Sequence, residues 1–168
     1  MHEVISVKKR VLPVLAGLWP YLMAGLFLYL MWFTPEVFAS VSPVLLFLFV
    51  VLLGPILGLV CLMAGLRSAD LSPGLLAKWN LRVKLAHIPF YVVIFLLVAL
   101  AVPLSAPFFF VFDVMVLCSG SGFGIAAIIR ARRNGLLSKV QALMHILLHL
   151  CFVTDVVSAF LICKKLRT

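Results

Sequence analysis

The chain has 168 residues, 65% of them hydrophobic and 11% charged, with a mean hydropathy of +1.28. Soluble domains average about 45–50% apolar and about 25% charged residues, so this composition argues against a water-soluble domain and predicts one integral membrane domain. The formal net charge of +9 sits in basic clusters that flank apolar runs. That is the pattern of topology signals and anionic-lipid contacts, and nucleic acid is not expected as a partner.

Five apolar segments follow in chain order, at about 11–33, 43–65, 83–102, 108–130 and 139–163. A segment of about 20 apolar residues is long enough to cross a bilayer as a helix. The first follows "KKR" at 8–10 and is longer than the apolar core of a signal peptide, so it reads as an uncleaved span. The second starts at Ser42-Pro43, a capping hydroxyl followed by a proline whose missing N–H costs nothing in the first turn. Its "GPILG" places Gly54 and Gly58 on one face, suited to close helix approach.

Ser72-Pro73 offers a second start of the same kind, so the third helix begins before its apolar part and stops near Pro103. Its first turns carry Lys78, Trp79, Arg82 and Lys84, residue types that suit a membrane–water interface. The uncharged link "VPLSAP" leads to the fourth segment, which ends in "RARRNG" with a turn signal at Asn134-Gly135. Ser138 to Gln141 has capping-box spacing and opens the fifth segment.

The loop charges set an orientation. Basic residues precede span one and separate spans two and three and spans four and five, so the N-terminus is expected in the cytoplasm. Lys164, Lys165 and Arg167 disagree, because five spans would put them outside. The expected architecture is an all-α bundle of five transmembrane helices. The alternative is four spans with a re-entrant or interfacial C-terminal helix and both ends inside.

Ionisable groups at membrane depth are costly and usually face the bundle interior or a wet cavity. Five fall inside the apolar runs: His87, Asp113, His145, His149 and Asp155. On one continuous helix Gln141, His145, His149 and Asp155 occupy a face about 120° wide. Asn80, Lys84, His87 and Tyr91 share a face of the third helix. Asp113, Gly120 and Gly124 share one of the fourth, where the two glycines admit a neighbouring helix and leave Asp113 looking into the contact. With five spans, Asp113 and Asp155 lie about 8 and 12 Å from the outer ends of their helices, and the three histidines about 20–27 Å from the outer side.

Three readings of these groups compete. They are interhelical hydrogen bonds that fix helix rotation, or a proton or ion relay of Asp and His, or a metal site of His87, His145 and His149 serving an intramembrane hydrolase. No H-E-x-x-H motif is present, and no metal or cofactor is assigned. The cysteines at 61, 118, 151 and 163 form no C-x-x-C pair and read as small buried apolar residues.

The second half of the chain resembles a group of small, uncharacterised bacterial multi-pass membrane proteins. The resemblance rests on "WNLRVKLAHIPFYVVIF" at 79–95, "FD" at 112–113, "GIAAIIRARRNGLLSK" at 124–139 and "DVVSA" at 155–159. It implies an integral protein of the bacterial cytoplasmic membrane and carries no catalytic residue. The expected role is non-enzymatic, an accessory or partner-binding protein. A small proton- or ion-linked transporter is the alternative, and an intramembrane metal-dependent hydrolase the third. The expected partners are the bilayer, anionic headgroups, and a second copy or another membrane protein.

Overall fold

A computed structural model describes residues 7–33, 36, 43–100, 106–149, 151 and 154–166. Among them the regular structure is entirely helical. The helices are α1 (Val7–Phe33), α2 (Pro43–Arg67), α3 (Pro73–Leu100), α4 (Ala106–Arg133), α5 (Lys139–Leu148) and α6 (Thr154–Lys165).

Local chemistry accounts for most boundaries. α2 and α3 both begin on proline, as expected, and the Leu75 N–H donates to the Ser72 hydroxyl at the start of α3. Ser42 and the greater part of the "VPLSAP" link lie outside the described residues. After α4 the chain turns at Asn134-Gly135, where Gly135 takes φ +74°, a left-handed conformation open to glycine at no steric cost. The capping box at Ser138 and Gln141 forms in full, each side chain accepting the other's backbone N–H.

α4 is the axis of the bundle, with α1, α2, α3 and α5 packed against it, while α6 lies on α3 and α5. Trp79 meets Phe123 edge to face at the α3–α4 contact, within a core that includes Leu76, Val83, Ala126, Ala127 and Ile128. The Trp19 indole donates to Ser119 Oγ at 2.6 Å, pinning α1 to α4. Arg130 ties the C-terminal end of α4 to the end of α2 through the carbonyls of Gly65 (3.0 Å), Ser68 (2.5 Å) and Ala69 (3.3 Å). The cysteines are free thiols; Cys61 and Cys163 are buried, and Cys151 is exposed.

The segment 139–163 is not the single continuous helix expected from its apolar length. It is a hairpin of two short helices, the first ending at Leu148 and the second beginning at Thr154. His145 reaches Ser158, and Gln141 reaches Lys165, so α5 and α6 run antiparallel. In an unbroken helix His149 and Asp155 would stand about 9 Å apart along the axis. Folding back brings them to 2.9 Å. The Thr154 hydroxyl donates to the Leu148 carbonyl freed at the end of α5 (3.2 Å), and Asp155 falls in the first turn of α6, where the helix dipole favours a carboxylate.

Apolar side chains cover the outside of the bundle as well as filling its core. On α1 an exposed stripe runs through Val11, Leu15, Leu18, Leu22 and Tyr29, and on α3 through Leu85, Ile88, Val92 and Phe95. The interior holds Asn80, Lys84, His87, His149 and Asp155. By length and composition, Asp113–Arg133 is the described segment able to cross a membrane, with mean hydropathy 1.7.

Candidate functional site

Three elements converge on one buried polar cluster. α3 brings Lys84, fully buried although lysine seldom is, and its neighbours one turn either side, Asn80 and His87. α4 brings Ser121 and the Leu117 carbonyl. The hairpin brings His149 and Asp155 from the two sides of its reversal.

Lys84 Nζ lies 2.5 Å from Asp155 Oδ2, 3.0 Å from Ser121 Oγ and 3.3 Å from the Leu117 carbonyl. These three contacts use the three donors of an ammonium. The second carboxylate oxygen, Asp155 Oδ1, accepts from His149 Nδ1 at 2.9 Å. Ser121 donates in turn to the Leu117 carbonyl at 2.7 Å, with the His149 carbonyl at 3.1 Å as a second acceptor. Both members of the ion pair are thus paired and further hydrogen-bonded, the condition under which charge tolerates burial.

The glycines of "SGSGFG" make room for this cluster. A Cβ at Gly120 would stand 3.0 Å from Lys84 Nζ and 3.1 Å from His87 Nδ1. At Gly124 it would stand 2.7 Å from His149 Nε2 and 2.8 Å from the Asn80 amide. The small-residue face of α4 therefore admits polar side chains rather than a bare helix backbone. Gly54 and Gly58 meet α4 main chain instead, at Met115 and Cys118.

His87, His145 and Gln141 bond elsewhere than to Lys84, Asp155 or the His149 ring. His87 Nε2 donates to the Ala16 carbonyl of α1 at 2.9 Å, which fixes its tautomer, and its ring meets Tyr91 edge-on at 6.4 Å. His145 Nδ1 lies 3.0 Å from Ser158 Oγ. Gln141 closes the α5 cap and accepts from Lys165 Nζ at 2.9 Å. Asp113 is half-buried and outside the cluster. The depth sketch that set both carboxylates on one level and the histidines on another does not hold, because Asp155 and His149 are bonded. Nor do His87, His145 and His149 come together: among the described residues no three His, Cys, Asp or Glu side chains are placed to hold a metal.

Lys84, a residue type suited to the interface that shares a face with Asn80, His87 and Tyr91, is the cation of the buried pair with Asp155. Sequence reasoning also passed over Ser121 and Ser158. The signal for Ser121 was its place between Gly120 and Gly122 on a face already marked as a contact.

Two buried atoms on either side of Gly124, His149 Nε2 and Asn80 Oδ1, have no hydrogen-bond partner among the described residues.

The fold and site define an all-helical bundle organised around a buried Lys–Asp–His cluster. The chain belongs to a family of unknown function, DUF6652, whose model matches residues 12–168. The match takes in the first helices as well as the second half on which the resemblance rested. Comparison with curated proteins and with solved structures finds no match.

Proposed function

We propose that the protein is an integral component of the bacterial cytoplasmic membrane. In this reading α1 to α4 span the bilayer, and α5–α6 enters from the cytoplasmic side and returns to it. The role is non-enzymatic, that of an accessory protein acting through a membrane partner or a second copy. The observation that carries the membrane reading is the combination of exposed apolar stripes on α1 and α3 with a buried polar cluster of Asn80, Lys84, His149 and Asp155. Water would penalise those stripes, whereas lipid favours them and accepts the charges only when they are paired inside.

Helix length supports this arrangement, and Asp113–Arg133 is the segment that also qualifies by apolar composition among the described residues. The first four helices have 25–28 residues, about 38–42 Å each, while α5 and α6 have 10 and 12, about 15–18 Å, near half a bilayer. Lys84 is about 17 Å from the start of α3, Ser121 about 18 Å from the end of α4, and His149 about 15 Å from the start of α5. All three place the ion pair near mid-depth. The hairpin also returns Lys164 and Lys165 to the side of Lys139, removing the exception to the positive-inside pattern. The accessory role rests on Lys84 and Asp155 being engaged by each other and by the fold.

Reporter fusions test the topology. A fusion at Thr168 is expected to be active as a cytoplasmic reporter and silent as an external one, and fusions at Glu36 and Pro103 the reverse. External activity at Thr168 would restore five spans and remove the hairpin.

One observation favours a second reading, proton- or ion-linked transport: His149 Nε2 and Asn80 Oδ1 stand unpartnered beside the pair. It predicts a pH-dependent flux in liposomes that His149→Gln abolishes while the protein remains folded. Equal flux from parent and variant would discard it.

A further inference from the structure

A second feature lies at the inner end of the bundle, away from the ion pair. Between the last turns of α4 and the first turns of α5 runs a groove of about 580 Å³. Its floor is Ile129, Leu143 and Ile146, and its rim is Arg132, Arg133 and Lys139. Volume of this order is typical of sites for small molecules.

The rim cations differ from their neighbour Arg130. Arg130 spends its guanidinium on three carbonyls at the end of α2. The side chains of Arg132, Arg133 and Lys139 are exposed and make no hydrogen bond or ion pair among the described residues. Lys139 is also set against its own helix. It opens α5, whose first turn contains no acid, and a cation at a helix N-terminus is unfavourable unless an anion lies nearby. Three unpaired cations and the positive end of a helix dipole therefore face one groove, whose floor is aliphatic.

We propose that this groove binds one anionic glycerophospholipid, its phosphate held by Arg132, Arg133 and Lys139 and one acyl chain laid along Ile129, Leu143 and Ile146. Charge complementarity selects the anion, and the apolar floor selects an amphiphile over free phosphate. A basic pocket between helices at the cytoplasmic surface is the setting in which anionic headgroups bind. The proposal rests on the membrane reading and goes beyond the topology role of these cations, because it gives them a shared ligand. The groove between α1 and α3 supplies a control. It is lined by apolar residues including Val14, Leu18 and Val83, but by a single cation, Arg82.

The test uses the full chain in neutral detergent micelles, with bound lipid counted by native mass spectrometry. Dioleoyl phosphatidylglycerol, dioleoyl phosphatidylcholine and inorganic phosphate are the probes. Phosphatidylglycerol is expected to bind tighter than phosphatidylcholine by about fivefold per cation, on the order of 100-fold in total. Arg132→Gln, Arg133→Gln and Lys139→Gln should each remove about one such factor, and Arg82→Gln none. Leu143→Gln should weaken the lipid and leave phosphate binding unaltered. These residues are exposed, so thermal midpoints should match the parent. Equal affinity for the two lipids would overturn the proposal. So would losses from the rim variants no larger than from Arg82→Gln, the mark of diffuse attraction, and so would phosphate binding as tightly as the lipid. Carbonate extraction of native membranes reads the membrane placement separately. A chain released by carbonate would sink that reading, whereas a retained chain without lipid selectivity would sink only the groove.

Discussion

Lys84→Met is expected to destabilise the folded protein by about 3–5 kcal/mol, the usual cost of leaving one member of a buried ion pair behind. Asp155 would lose the ammonium at 2.5 Å and keep its contact with His149, in a site 2% exposed. Asp155→Leu should cost a similar amount, because the ammonium would retain the Ser121 hydroxyl and Leu117 carbonyl without a counter-charge. The double variant is the informative one. With both charges gone, apolar side chains of similar volume can fill the space, and the loss should shrink to within about 1–2 kcal/mol of the parent. Reversible unfolding in mixed micelles measures all three. A second readout separates undocking of the hairpin from global unfolding. Cys163 on α6 is buried, so its thiol should label slowly in the parent and faster in Lys84→Met, with the other three cysteines replaced by serine. If both single variants cost less than about 1 kcal/mol, the pair is not what fastens the hairpin.

The same cluster explains what the sequence made legible and what it did not. Local signals were readable because local chemistry sets them. The prolines at 43 and 73, the glycine at 135 and the Ser138–Gln141 pair fixed their element boundaries without help from the rest of the chain. Amphipathic spacing also placed Asn80, Lys84 and His87 on one buried face. The break between α5 and α6 had no glycine or proline to mark it, since neither occurs between Lys139 and Leu166. Helix propensity there is weak, since Leu150 alone among residues 149–155 is a strong helix former, but weak propensity does not fix a reversal and tertiary contact decides it. Reversal joins His149 and Asp155 and delivers Asp155 to Lys84, and both partners lie far from the break in sequence or on its other side. The one sequence clue was the basic tail, which violated the charge rule for five spans and is accommodated by the hairpin.

The family relationship spans this architecture from residue 12 onward, so the first two helices share the same descent as the cluster-bearing half. Their contribution is to hold α4 in place. Apolar character alone could not reveal this, because every face of α2 is rich in leucine and valine. What distinguishes its inner face is the absence of side chains at Gly54 and Gly58, where α4 main chain comes within contact distance.

That closeness sets the second large effect. A Cβ at Gly58 would overlap the Cys118 carbonyl oxygen, and a Cβ at Gly122 would overlap the carbonyl oxygen of Gly58. The obstructing atoms are backbone on both sides, so no rotamer change relieves the clash and α2 must move away from α4. Such close approaches also carry Cα–H···O contacts, which separation would forfeit. Gly58→Ala and Gly122→Ala are each expected to cost about 1–3 kcal/mol, the range for overpacking a tight contact. The two act on one gap, so once either has spread the helices the other costs less, and the double variant should fall short of the sum. Gly25→Ala is the control. No atom outside its own stretch of helix lies within 4 Å of the added Cβ, so the change should be neutral or stabilising by up to about 1 kcal/mol through helix propensity. Unfolding in micelles compares the set directly. Equal stability of Gly25→Ala, Gly58→Ala and Gly122→Ala would mean that α2 and α4 are further apart than the backbone contact at Gly58 requires. The wall behind Ser121 and Gly124 would then be looser than the ion pair at Lys84 demands.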